Sequence, residues 1–173
     1  AVGAHFLLSM GLLSASLSLR QRMLQIPRVS ITQTSALLVR LILVLTLLVI
    51  TLGTVVTGSG PHAGDIQARR YHLDPRSISW LHADSVIALL ALTFALLLLL
   101  RATEDLAYRS LILKRATIFF FICLAQGLIG YIQYFTGLPE ALVSAHLLGA
   151  DLVWLSAWNL GFIGRVLIRG SHT

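Results

Sequence analysis

Apolar residues in this chain fall into long unbroken runs separated by short polar segments. Five runs reach or approach membrane length: Ala1–Leu19, Ala36–Thr57, Ser77–Leu100, Ala116–Thr136 and Pro139–Gly164. A helix that crosses the hydrocarbon layer needs roughly 20 mostly apolar residues. The runs are continuous and rich in Leu and Ala, not alternating, so they predict helices and argue against membrane strands. The pattern predicts an all-α integral membrane protein with five transmembrane helices.

Composition supports this reading. The chain is 57% hydrophobic and only 12% charged, whereas charged residues make up about a quarter of a soluble domain. Its basic residues are unevenly placed. Arg20, Arg22, Arg28 and Arg40 flank the first connection, Arg101, Arg109, Lys114 and Arg115 the third, and Arg165 and Arg169 follow the last run. Only Arg69, Arg70 and Arg76 lie in the second connection. Positive residues stay on the cytoplasmic side, so runs one, three and five are expected to travel from outside to inside. The net charge of +6 then reports topology, and a nucleic-acid partner is not expected. A secretory signal carries its positive charges ahead of the apolar run. Here they follow it, so the first run reads as a transmembrane helix. The single cysteine, Cys123, lies deep in the fourth run and reads as an inert buried thiol.

The first and fifth runs resemble each other. Ala4-His5-Phe6-Leu7 continues through Leu12-Leu13-Ser14-Ala15 and ends near Arg20, while Ala145-His146-Leu147-Leu148 continues through Leu155-Ser156-Ala157 and ends near Arg165. The shared Ala-His and the shared direction suggest duplicated halves. The odd helix count and unflanked first helix add the expectation that the chain belongs to something longer. The expected division is 1–22, a transmembrane helix belonging to a preceding half; 23–35, a cytoplasmic linker; 36–168, a four-helix domain; and 169–173, a tail.

His82 and His146 carry most of the candidate chemistry. Each sits a short way inside the outer end of an apolar run, on separate helices that travel in the same direction. A neutral imidazole in hydrocarbon is costly unless it is paired or bound to a metal, and two rings at matched depth suit the axial positions of a haem iron. Small residues at Ser85, Gly149 and Ala150 would let a flat macrocycle approach. Other metals, a proton relay or plain interhelical hydrogen bonds remain alternatives from the residues alone. Zinc is disfavoured, because no cluster of Cys, His and acidic ligands accompanies the pair. His62 and His72 read as solvated loop residues. Arg69, Arg70 and Arg76, at the outer surface, suit haem propionates or lipid headgroups. Asp151 lies roughly 18 Å into the membrane, counting about 1.5 Å per residue from Pro139. It is expected to face the bundle interior, with Gln126 and Gln133 as donors. Trp80, Tyr131, Tyr134 and Trp154 read as anchoring and packing residues.

Gly53-Thr54-Val55-Val56-Thr57-Gly58-Ser59-Gly60-Pro61-His62-Ala63-Gly64-Asp65 resembles a run of bacterial haem A synthases, particularly the actinobacterial kind. So do Leu81-His82-Ala83-Asp84-Ser85-Val86, Gln126-Gly127-Leu128-Ile129-Gly130-Tyr131-Ile132-Gln133-Tyr134 and Ala145-His146-Leu147-Leu148-Gly149-Ala150. Order and spacing agree across nearly the whole chain. The resemblance implies a family of eight transmembrane helices in two four-helix halves, with the first run as the fourth helix and the others as helices five to eight. It further implies that the last four runs form a bundle holding a haem b between His82 and His146. His5 then matches the fourth-helix histidine of the site where haem O is oxidised.

The reaction implied is conversion of the C8 methyl of haem O to a formyl, giving haem A, by successive hydroxylations and loss of water. Oxidising an unactivated C–H bond is work for an iron cofactor rather than for side chains. The resemblance implies haem O as substrate, haem O synthase and an unidentified electron donor or acceptor as partners, and the bacterial cell membrane as location. The family's second-helix glutamate and histidine and its loop cysteine pair are not in this chain, which is therefore expected to be inactive alone. The chief rival is a bis-histidine b-type membrane cytochrome that passes electrons to or from quinone; a second is a scaffold with structural histidines.

Overall fold

The computed structural model describes residues 2–26, 28–60, 70–103 and 106–167. Five helices follow one another: α1 (Val2–Met23), α2 (Gln33–Ser59), α3 (Pro75–Thr103), α4 (Leu106–Phe135) and α5 (Glu140–Leu160). Four of them, α2 to α5, are long and apolar enough to cross a membrane. α1, at 22 residues, is long enough too. Its serines, its histidine and its closing Arg20-Gln21-Arg22 make it less apolar than the others.

Packing joins α2 to α3, α3 to α4, α4 to α5 and α5 back to α2. The four apolar helices thus close a ring around one core, which includes Val39, Ile42, Leu89, Leu96, Leu100, Phe119, Val153 and Ala157. The buried positions of α3 recur at helical spacing through Leu89, Thr93, Leu96 and Leu100, and this stripe places His82 at its N-terminal end. Buried hydroxyls bond within their own helices, Thr46 to the Ile42 carbonyl at 2.7 Å and Thr93 to the Leu89 carbonyl at 2.7 Å. This back-bonding lets a polar residue sit in an apolar core without a cross-chain partner.

α1 lies outside this ring and runs parallel to α5. The Trp154 indole donates to the Ser14 hydroxyl at 2.7 Å and to the Met10 carbonyl at 3.1 Å. One turn further on, Trp158 donates to Ser18 at 2.9 Å, and Gln21 donates to the Asn159 carbonyl oxygen at 3.1 Å. The hydroxyl contacts of both tryptophans share a register of 140 residues, close to the offset of the two Ala-His pairs. Trp154 therefore does more than anchor and pack: its indole N–H ties α1 to α5.

The continuous apolar runs give no warning of two short strands. β1 (Val29–Thr32) and β2 (Ile163–Leu167) pair in parallel, with Val29 opposite Ile163 and an irregularity before Ile31 opposite Val166. β1 lies between α1 and α2, inside the segment expected to be a plain linker, and β2 takes over where α5 stops at Leu160. β-branched Val29, Ile31 and Thr32 suit a strand, and the side chains of Val29 and Ile31 are buried. Arg115 closes this end by donating to the Phe162 carbonyl at 3.0 Å, and Arg28 stands 4.9 Å from the centre of the Phe162 ring.

At the opposite end, Asp74 caps α3 and Pro75 takes the first helical position, an arrangement that wastes no backbone donor. Asp74 accepts from the Ser77 amide at 2.9 Å and from its hydroxyl at 2.6 Å. Those bonds, the side-chain one foremost, hold the Asp74 carboxyl below the ordinary carboxylate range. A depressed folded-state pKa gives stability that is present above the unfolded value of about 3.9 and is lost as pH falls through the folded value. The protection of the Ser77 amide, its exchange rate taken relative to that of an unstructured peptide at the same pH, should therefore fall as pH drops below about 4, and Asp74→Ala should show that low protection at every pH. Separately, Trp154→Phe should weaken the docking of α1 by roughly 1 kcal/mol, the scale of hydrogen bonds between membrane helices, read as a lower unfolding midpoint in mixed micelles.

Candidate functional site

The end of the ring that carries His82 and His146 is built from two hairpins that repeat one device. In the first, α2 carries Gly53 and α3 carries His82. In the second, α4 carries Gly130 and α5 carries His146. A methyl group added at Gly53 would stand 3.3 Å from Cε1 of His82, and one added at Gly130 would stand 3.4 Å from Cε1 of His146. Each imidazole thus lies on bare backbone of its hairpin partner. A methyl group would be met at close to ordinary contact distance, but a side chain longer than alanine's would push either ring away.

Both rings are half-buried. Their anchoring differs. Nδ1 of His82 is 3.0 Å from the Val49 carbonyl, and since a carbonyl only accepts, that nitrogen carries the proton. Nε2 of His82 is left with its lone pair. This is the usual way a protein prepares a histidine for a metal. Nδ1 of His146 is buried and meets no hydrogen-bond partner among the described residues; neither do Oε1 of Gln126 and Oε1 of Gln133.

Gln126 and Gln133 share the face of α4 that also carries Gly130. The Gln126 amide rests directly against Gly149, three residues beyond His146 on α5. Gly149 is buried, so the small residue beside His146 is covered by a glutamine side chain.

Asp151 is not with those glutamines, as the sequence led one to expect. At 100° per residue it is turned roughly 140° from His146, onto the side of α5 that bears Trp154 and Trp158. It lines a groove of about 500 Å³ between α1 and α5, together with His5, Ser9 and Ser16. The groove gives the α1 histidine and the mid-membrane carboxylate one common surface, separate from the His82–His146 seam. His5 itself is exposed.

The three arginines between α2 and α3 and at the start of α3 part company. Arg69 lies outside the described residues, as do His62 and Asp65. Arg70 is half-buried, next to Tyr71, whose ring packs onto Gly58 and whose amide donates to the Gly58 carbonyl at 3.0 Å. This contact fastens the returning loop to the end of α2. Arg76 is exposed and shares a shallow groove with Trp80 and Asp84, on a stripe of α3 turned roughly 120° from His82. His72 is exposed. Among the described residues, no three His, Cys, Asp or Glu side chains come together as a metal site, so a metal held here by such residues would rest on the histidine pair.

Comparison with family models, curated proteins and solved structures finds no match.

The glycine beds give a graded test. Gly53→Ala needs His82 to shift by only a few tenths of an ångström and should keep the Nδ1–Val49 bond. Gly53→Leu should displace the ring and break that bond. Ring ¹⁵N resonances of His82 should report the first as native-like and the second as changed.

Proposed function

We propose that this chain is the haem b module of a membrane haem A synthase, with His82 and His146 as the two axial ligands. One observation supports this most: two half-buried imidazoles, each set against a glycine of its hairpin partner inside a closed four-helix ring. The donor set suits haem iron. Two neutral nitrogen ligands on facing helices are what a low-spin b-type centre takes, and the unpartnered polar atoms along the α4–α5 seam suit a site that receives a group. A haem bound there supplies one-electron chemistry that no side chain offers.

The chain's own residues do the rest. Val49 holds His82 in the tautomer that frees Nε2, and Gly53 and Gly130 set the depth of the rings. On this reading α1 is a fifth span, the histidines sit in the outer half of the bacterial cell membrane, and haem propionates meet Arg70 and Arg69. The placement of Arg76 gives it a smaller part. The His5–Asp151 groove is then the side on which the substrate haem O is handled, a separate place from the haem b. The rival reading, a bis-histidine cytochrome exchanging electrons with quinone, uses the same pair. The second groove, largely apolar but with its own histidine and carboxylate, favours the two-site arrangement.

The absorption spectrum of the purified protein tests this. A low-spin bis-imidazole b-type spectrum is expected, lost in His82→Ala and in His146→Ala and kept in His5→Ala. Haem extraction and mass analysis from cells supplied with haem O, expressing the chain joined to an N-terminal synthase half, then separate synthase from cytochrome. A protein that binds no haem, or one in which His5→Ala abolishes the same spectrum, would overturn the reading.

A further inference from the structure

His82 and His146 are mirrored in position but not in support. The Val49 carbonyl takes the proton of His82 Nδ1 at 3.0 Å. Nothing among the described residues does this for His146, whose Nδ1 is nevertheless buried. The two other unpartnered buried atoms along this seam are Oε1 of Gln126 and Oε1 of Gln133. They bracket the ring: Gly130, on which His146 lies, sits between them on one face of α4, and the Gln126 amide touches Gly149 one turn along α5. A polar atom left unsatisfied in hydrocarbon costs several kcal/mol. An amide oxygen can only accept, while a neutral imidazole offers one N–H. The complementary pairing is therefore Nδ1–H of His146 with a glutamine oxygen, reached by rotating the amide or through one bridging water.

We propose that Gln126 and Gln133 are positioning residues that hold His146 in its Nδ1–H tautomer, doing with side-chain amides what the Val49 backbone does for His82. The tautomer follows from the seam alone; its redox consequence rests on His146 being a haem ligand. A hydrogen bond at the distal nitrogen makes an imidazole a stronger donor to metal, which favours ferric over ferrous iron and lowers the potential. Of the two ligands only His146 is supported by side chains, so it is the one through which substitution on α4 tunes the centre.

The test uses the full chain in nanodiscs, with Gln126→Met, Gln133→Met and the double variant. Met keeps an unbranched shape and offers no amide. Gln126→Glu and Gln133→Glu retain an acceptor. In haem-free protein, ring ¹⁵N spectra should show His146 as the Nδ1–H form, and the double Met variant should shift it toward Nε2–H. In haem-loaded protein, the double Met variant should raise the reduced-to-oxidised ratio at fixed ambient potential by up to about tenfold, an upward move of about 59 mV for one electron. The Glu variants should stay at or below the native potential. An Nε2–H ring in the native protein, or no change of tautomer and potential in the double Met variant, would overturn the proposal. If the Met variants lose haem, the Glu variants decide: retention supports the acceptor role, and loss shows that the glutamines only pack. A native protein that binds no haem defeats the proposed function, while the tautomer measurement still decides this proposal.

Discussion

A hydroxyl, indole, amide or imidazole inside a bilayer has no water to turn to, so its partner must come from the protein. Most polar side chains of the long helices obey this constraint at short range. Thr46, Thr93 and Ser85 bond to the carbonyl four residues back, which disposes of the hydroxyl without asking anything of a neighbouring helix. Groups too large for that solution define the tertiary structure. The indoles of Trp154 and Trp158 reach across to α1, and His82 reaches across to α2. Among the described residues, three buried atoms that meet no partner, on Gln126, Gln133 and His146, lie along one seam, while another, Oε1 of Gln21, lies apart from it on α1. In a fold governed by satisfaction, such a gathering marks the place prepared for something else.

The second governing feature is close backbone approach. Without a hydrophobic drive between helices in lipid, small residues set how near two helices come. Here glycine does this at the two positions where the Cε1 edge of an imidazole meets the neighbouring helix, and Gly149 does it where Gln126 crosses. Close approach and polar placement are thus one design. The glycine that brings the helices together also makes the space for the ring, and the ring's remaining nitrogen then needs an acceptor from the same contact. The first hairpin finds that acceptor in its own backbone. The second has Gln126 and Gln133 on either side.

Much of this was legible in the chain because hydropathy and helical spacing are strong signals. The four long apolar helices lie where the runs predict, with shifted ends: α2 and α3 extend by a few residues at both ends, α4 gains most because Leu106–Arg115 continues the helix ahead of the apolar run, and α5 stops at Leu160, short of the predicted Gly164. The glycine–histidine repeat was visible as small residues near histidines, although the glycines that matter lie on the partner helix and could not be paired without the packing. Three features were hidden for identifiable reasons. The parallel pairing of β1 with β2 joins segments more than a hundred residues apart, and a stretch of four or five residues carries no periodicity. Trp154 looked like a packing residue because an indole does the same thing in a sequence whether or not its N–H finds a distant serine. Asp151 was placed on the wrong side of α5. Five residues from His146, it shares the helix but not the face, and depth alone could not tell interior from groove.

α5 is where these requirements meet. Its one face, through His146, Gly149, Val153 and Ala157, belongs to the ring of four helices; the adjoining face, through Asp151, Trp154 and Trp158, belongs to α1. A rigid helix cannot rotate to suit one face without disturbing the other. The indole bonds to Ser14 and Ser18 therefore do more than fasten α1, because they also fix the rotation of α5 and with it the direction in which His146 points. Conversely, the contact of Gln126 with Gly149 holds the groove face toward α1. The histidine seam and the His5–Asp151 groove are separate surfaces, but the helix between them makes the geometry of each a condition on the other.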